Sequence, residues 1–188
     1  MSENKHSKTL RSKSVTTLTV AAMMTAISVV IGIFCKNFLN FGAGLFRVTF
    51  ENLPIILAGV SLGPIAGALV GIASDLLSYL LSFQAYAPNL IVTAGAASVG
   101  LVSGLVARFV VKTRGCKQMI VAGALAHIVG SMLIKPIGLY QFYGLAVLWR
   151  VPMYFVIAPV EILLLCLLIR NEGVAKLIYG TNEKRSTK

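Results

Sequence analysis

Long apolar runs, broken by short polar or glycine–proline segments, set the architecture of this chain. They predict six membrane-crossing helices at about 15–35, 48–62, 64–83, 88–111, 118–139 and 149–169, because a hydrocarbon core takes about 20 apolar residues per helix. The second run is short, so it crosses with little tilt or only in part. Ser61-Leu62-Gly63-Pro64 predicts a tight turn with Pro64 in a first helical turn, which makes spans two and three an antiparallel hairpin. Residues 1–14 and 171–188 read as basic tails. The expected fold class is all-α: an integral membrane bundle of six transmembrane helices with both termini cytoplasmic.

Within span three, Gly63, Gly67, Gly71, Asp75 and Tyr79 recur at four-residue intervals. On a helix this spacing forms one slowly drifting stripe, and its glycines permit close backbone approach. The stripe leads to a carboxylate about eleven positions into the span, roughly 17 Å along the axis. An acidic group at such depth costs about 2.5–3.5 kcal/mol, so Asp75 is expected to have partners. Ser74 and Ser78 flank it. The plain alternative is a structural anchor to a neighbouring helix.

Composition agrees with a membrane protein: 57% of the residues are hydrophobic, 12% charged, and the mean hydropathy is +0.85. The net charge of +11 is largely topological. With six spans, thirteen of the 17 Lys and Arg fall on the side of the termini: Lys5, Lys8, Arg11, Lys13, Arg108, Lys112, Arg114, Lys117, Arg170, Lys176, Lys184, Arg185 and Lys188. Lys36, Arg47, Lys135 and Arg150 fall on the other side, and the positive-inside rule makes that side external. The basic tails are short and lack interleaved aromatics, which argues against nucleic acid as a partner. Cys35, Cys116 and Cys166 show no metal-ligand spacing and read as free thiols. The run from Val15 is longer than a signal-peptide core and no small-residue cleavage site follows it.

Candidate chemistry gathers on the outer side. Fourteen of the 16 aromatic residues fall there, Tyr79, Tyr86, Tyr140 and Trp149 among them. Some form an interfacial belt, and others suit a pocket for a flat ligand. Arg47 and Arg150 suit bidentate recognition of a carboxylate, and Lys135 adds a further cation. Lys36 reads as snorkelling to lipid headgroups. Arg47 has a local alternative, pairing with Glu51 at i,i+4. His127 and Glu161 fall at similar depth and could pair, as a structural hydrogen bond or a proton relay. Ala22 and Ala26 in span one form a small-xxx-small face for helix contact, and Gly100 and Gly104 look like internal packing. The chain has no phosphate-binding loop, no HExxH motif, no convincing nucleophile–base pair and no evident internal repeat. It therefore reads as a receptor for something outside, needs no cofactor, and is not an enzyme.

Together these residues resemble a known family. The Ala22-xxx-Ala26 face, the basic N-tail and the block ENLPIILAGVSLGPIAGALVGIASDLLSYL are similar to the substrate-binding S components of energy-coupling-factor (ECF) vitamin transporters. The folate-specific group is the nearest in pattern. A Pro54-containing short second helix precedes Gly63-Pro64, Gly67-Ala68, Val70-Gly71 and Asp75-Leu76, which match its GPxxGAxVGxxxDL pattern. The stretches YAPNLIVTAG, IKPIGLYQFYG and WRVPMYFVIAPVEILLLCLLIR resemble its later parts, with Arg150 and Pro159 in place. Val30 departs from an extended alanine series, and Glu161 stands where an uncharged polar residue is expected.

This resemblance implies capture of folate from outside and delivery inward, with a transmembrane coupling subunit and two ATPase subunits supplying the energy. Ala22 and Ala26 would then meet the coupling subunit. Arg47, Glu51, Asn52, Asp75, Tyr79, Tyr86, Lys135, Tyr140, Trp149 and Arg150 are the expected ligand-binding residues. Asp75 would meet the pterin, the cations its carboxylates, and the loop Lys36–Phe46 would act as a lid. Two alternatives stand beside this: an S component for pantothenate, thiamine or riboflavin, and a proton-coupled carrier using Asp75, His127 and Glu161.

Overall fold

The structure, a computed structural model, describes residues 3–41, 46–81 and 89–186. For residues 3–14, 40, 41, 46, 47, 142, 143, 146, 149, 150 and 181–186 the description is limited to the backbone. Among the described residues, the regular structure is helical apart from a two-residue antiparallel pairing, Asn40 with Arg47 and Phe41 with Phe46. The helices are α1 (Glu3–Phe38), α2 (Asn52–Leu62), α3 (Pro64–Leu81), α4 (Leu90–Leu105), α5 (Cys116–Ala126), α6 (Lys135–Tyr143), α7 (Arg150–Arg170) and α8 (Glu172–Ser186). A π-helical turn, Val106–Val110, extends α4, and a π-helical segment, His127–Ile134, joins α5 to α6 without a break.

Among the described residues, five stretches are long and apolar enough to cross a membrane: Val15–Phe38, Pro64–Leu81, Leu90–Val110, Cys116–Gln141 and Val151–Arg170. The short second run forms α2, only 11 residues long, and every one of them is buried. Rather than matching its long neighbours, α2 is the hub of the bundle and packs on α1, α3, α4 and α8. Gly63 alone joins it to α3. Its φ of 100° suits a residue without Cβ, and its N–H closes α2 on the carbonyl of Gly59.

The expected glycine seam is a three-helix contact. A Cβ on Gly67 of α3 would lie 2.5 Å from the Gly59 Cα of α2 and 2.6 Å from the Gly100 carbonyl oxygen of α4. One on Gly100 would overlap the Gly67 carbonyl oxygen, and one on Gly104 would lie 2.5 Å from the Pro64 backbone. The three backbones are therefore closely packed, and dispersion between them supports the contact where lipid offers no hydrophobic drive.

Three expectations change. Residues 171–186 do not form a plain tail: α8 folds back on α2, with Ile178 fully buried. Residues 1–14 are likewise helical from Glu3 onward, as the start of α1. Cys116 and Cys166 are not free thiols but a disulfide, with Cα atoms 4.9 Å apart, while Cys35 is buried and lies outside that bond. The spacing of the cysteines gives no sign of the pairing, because the two sulfurs lie 50 residues apart and meet only when α5 packs on α7.

Gly100→Val should cut the folded yield and lower the detergent unfolding midpoint, by an overpacking cost of about 1–3 kcal/mol or more. Gly180→Ala meets nothing within 4 Å and serves as the control with little change. Equal midpoints for the two variants would refute the seam.

Candidate functional site

The loop before α2 and the first residue of that helix hold Glu51 and Asn52. Glu51 occupies the N-cap position but makes no side-chain cap bond. Its carboxylate instead reaches Lys135, Nζ to Oε1 at 3.5 Å. Lys135 also donates to Asn52 Oδ1 at 3.0 Å, and Asn52 Nδ2 lies 3.5 Å from Ser131 Oγ. Lys135 is only 5% exposed, so a charge is drawn deep into the bundle and satisfied there.

Asp75 joins from α3. Thr93 of α4 donates to its Oδ2 at 2.7 Å. Thr93 is placed by the start of α4, where Asn89 caps the helix by accepting from the Ile91 N–H and donates to the Gly138 carbonyl of α6. From α1, Ser28 donates to the Glu51 carbonyl at 2.7 Å, and Lys36 donates to the Ser78 carbonyl and hydroxyl at 3.2 and 3.1 Å. Two glycines make this possible. A Cβ on Gly32 would press on Glu51 Oε2 and Ser78 Oγ, and one on Gly95 would strike the Lys135 stem at 2.6 Å.

Between these groups lies a small polar cavity, lined by Ser28, Glu51, Ile55, Ser74, Asp75, Ser78, Ala96 and Lys135, with room for about one water molecule. The Ser74 hydroxyl on its wall is buried and has no hydrogen-bond partner among the described residues. Two carboxylates and Lys135 thus line a space inside the bundle, with Lys36 bound to Ser78 of its wall.

Of the expected residues, Glu51, Asn52, Asp75 and Lys135 come together. Tyr79 is half-buried and does not line the cavity, because the stripe turns about 40° at each four-residue step. Tyr140 is exposed. Arg47, Trp149 and Arg150 are described in backbone only, and Tyr86 and positions 42–45 of the expected lid lie outside the described residues. The helical i,i+4 relation of Arg47 to Glu51 does not apply, since the intervening chain is not helical. Lys36 does not reach out to lipid headgroups as expected, and instead binds α3.

Ser28, Gly32, Ser131, Thr93 and Gly95 belong to the site without having been expected there. For Ser28, Gly32 and Ser131 the sequence signal is a four-residue spacing, Ser28-Gly32-Lys36 on α1 and His127-Ser131-Lys135 on the α5–α6 run; Thr93 and Gly95 of α4 carry no such signal.

His127 and Glu161 lie apart from the cavity lining. Nε2 and Oε2 are 2.8 Å apart and both side chains are essentially inaccessible. The distance is that of an ion pair, but the approach is too oblique for a hydrogen bond, and Nδ1 and Oε1 have no partner among the described residues. Ala22 and Ala26 are exposed on α1, so internal packing does not use them.

A model of the family described as "ECF-type riboflavin transporter, S component" matches residues 12–171. The chain belongs to that family. It is a substrate-binding transport subunit, a multi-pass membrane protein and not an enzyme. Among the solved structures that resemble this S component are the following two. One is described as "Structure and mechanism of the S component of a bacterial ECF transporter", with TM-score 0.62 and 24% identity, over 82% of this chain and 93% of that one. The other is described as "Crystal structure of FolT bound with folic acid", with TM-score 0.57 and 20% identity, over 77% of this chain and 91% of that one. At these identities the likeness establishes the fold alone. No curated protein matches the S component.

Removing one partner of the buried pair should leave the other uncompensated. Glu161→Leu or His127→Leu alone is expected to cost about 3–5 kcal/mol, and the double replacement less than their sum. A double-mutant cycle on unfolding midpoints measures this; additive losses would mean that the two side chains do not interact.

Proposed function

We propose that this S component captures folate from the outer side of a cell membrane and delivers it inward. It does so as a six-span bundle with both termini cytoplasmic, working with a membrane coupling subunit and two ATPase subunits. Ala22 and Ala26, exposed on α1, offer the coupling subunit a close-packing face.

The observation that carries this reading is the polar cavity with its Ser74 hydroxyl, unpartnered among the described residues, and two acidic side chains. Ionised carboxylates only accept hydrogen bonds. A pterin presents a ring N–H beside an exocyclic amine, two parallel donors that one carboxylate can take together. Asp75 is the proposed partner for that edge. Lys135, Arg47 and Arg150 are proposed for the ligand's carboxylates, and Tyr86 and Trp149 for its ring faces. The cavity has space for about one water molecule, so entry of a ring requires Lys36 and Lys135 to swing and the α1–α2 connection to move outward.

Riboflavin is the second reading, favoured by the family description. Its ring carries a single imide N–H between two carbonyls. That edge suits Asn52 and the lysines better than two carboxylates.

Purified protein should retain its vitamin, and absorbance with mass spectrometry identifies it. A pterin supports the first reading, a flavin the second, and neither would overturn both. Asp75→Asn and Lys135→Met should each weaken binding about tenfold or more, from the loss of a charged hydrogen bond. Unchanged affinity in both would place the ligand elsewhere.

A further inference from the structure

At the end of the bundle remote from the cavity, α5 begins at Cys116, about 28 Å along the continuous helix from Lys135 at about 1.5 Å per residue. Cys116 is exposed and Cys166 half-buried, so both sulfurs lie near the surface of the fold. Basic residues neighbour both in the sequence, Arg114 and Lys117 within two positions of Cys116 and Arg170 four positions after Cys166. Nearby cations favour the thiolate, which is the reactive form. The same corner anchors α8. The Gly115 N–H donates to the Tyr179 hydroxyl at 2.7 Å, and the Arg114 guanidinium stacks over the Tyr179 ring at 5.6 Å. Burial raises the Tyr179 phenol above its ordinary pKa, so it stays neutral and accepts that bond.

We propose that Cys116 and Cys166 are a reversible dithiol–disulfide couple, exchanging with low-molecular-weight thiols and disulfides, whose state sets the mobility of the α5–α7–α8 corner. In the oxidising direction one cysteine thiolate attacks a small disulfide and expels one thiolate. The second cysteine then attacks the mixed disulfide and expels the other. The protein loses two thiol protons and two electrons, and the small disulfide leaves as two thiols. In the reducing direction a small thiol reverses both steps. The bonded state ties the start of α5 to α7, and with it the Gly115 anchor of Tyr179. The reduced state leaves that corner held by packing and non-covalent contacts, the Gly115–Tyr179 bond and the Arg114–Tyr179 stack among them. Under the proposed topology this corner is cytoplasmic, where small thiols keep exposed disulfides under reducing pressure.

The test uses the full chain in isolated membranes, which expose both faces, so the result does not depend on topology or on the vitamin. Samples treated with diamide or dithiothreitol are acid-quenched, denatured and labelled with a mass-tagged maleimide. Of the three cysteines, only Cys35 lies outside the pair, so the expected pattern is one tag after diamide, three after dithiothreitol, and interconversion between them. Three tags under both treatments, or one tag that survives dithiothreitol, would overturn the couple. Hydrogen exchange on the same samples should show loss of amide protection at 111–116 and in α8 on reduction, and no such change in Cys166→Ser. Equal protection in both redox states would overturn the link to mobility.

Discussion

Backbone contact between α2, α3 and α4 is the constraint on which everything else rests. Gly59, Gly67, Gly100 and Gly104 bring three helices closer than any side chain would allow. Because α2 is short and wholly buried in that grip, its N-terminal end stops well inside the bundle. The polar residues Glu51 and Asn52 are thereby carried to a depth that a longer helix would have filled with apolar side chains. The seam explains why a cavity exists, and the side chains around it explain its chemistry.

The charges that line that cavity come from different elements, Glu51 from the edge of α2, Asp75 from α3 and Lys135 from α6. Behind them, Lys36 of α1 holds Ser78 and Thr93 of α4 holds Asp75. Such a site senses the relative placement of five elements at once. An incoming ligand that exchanges one of these pairs for a bond to itself therefore acts on the packing of several helices, and binding is tied to conformation through ordinary hydrogen-bond exchange.

Much of this is legible in the amino-acid sequence. The apolar runs locate the long helices, the four-residue glycine interval marks the seam, and Asp75 stands out by its cost in an apolar setting. Glu51, Asn52 and Lys135 are recognisable as polar groups on apolar segments. What escapes depends on tertiary contact: the Cys116–Cys166 bond, the return of α8 onto α2, and the engagement of Lys36 with Ser78. Serine and threonine are easily overlooked because they are common in membrane helices, where they satisfy themselves on the preceding turn, as Thr25 does on Ala21. Only position distinguishes Thr93 or Ser131 from these. The drift of the stripe on α3, which turns Tyr79 off the cavity, needs no tertiary contact to explain it. Four residues advance a helix by about 400°, so Tyr79 sits about 40° further round than Asp75.

The passage of the Lys135 stem across Gly95 ties two helices to one steric unit, a long side chain at 135 and a bare α-carbon at 95. A Cβ at 95 would meet Lys135 Cγ at 2.6 Å, and also the Gly130 carbonyl oxygen at 3.2 Å and the Lys135 backbone nitrogen at 3.3 Å. Shortening the side chain at 135 alone would therefore leave position 95 crowded by backbone. The glycine serves the approach of the two helices as well as the seating of the lysine.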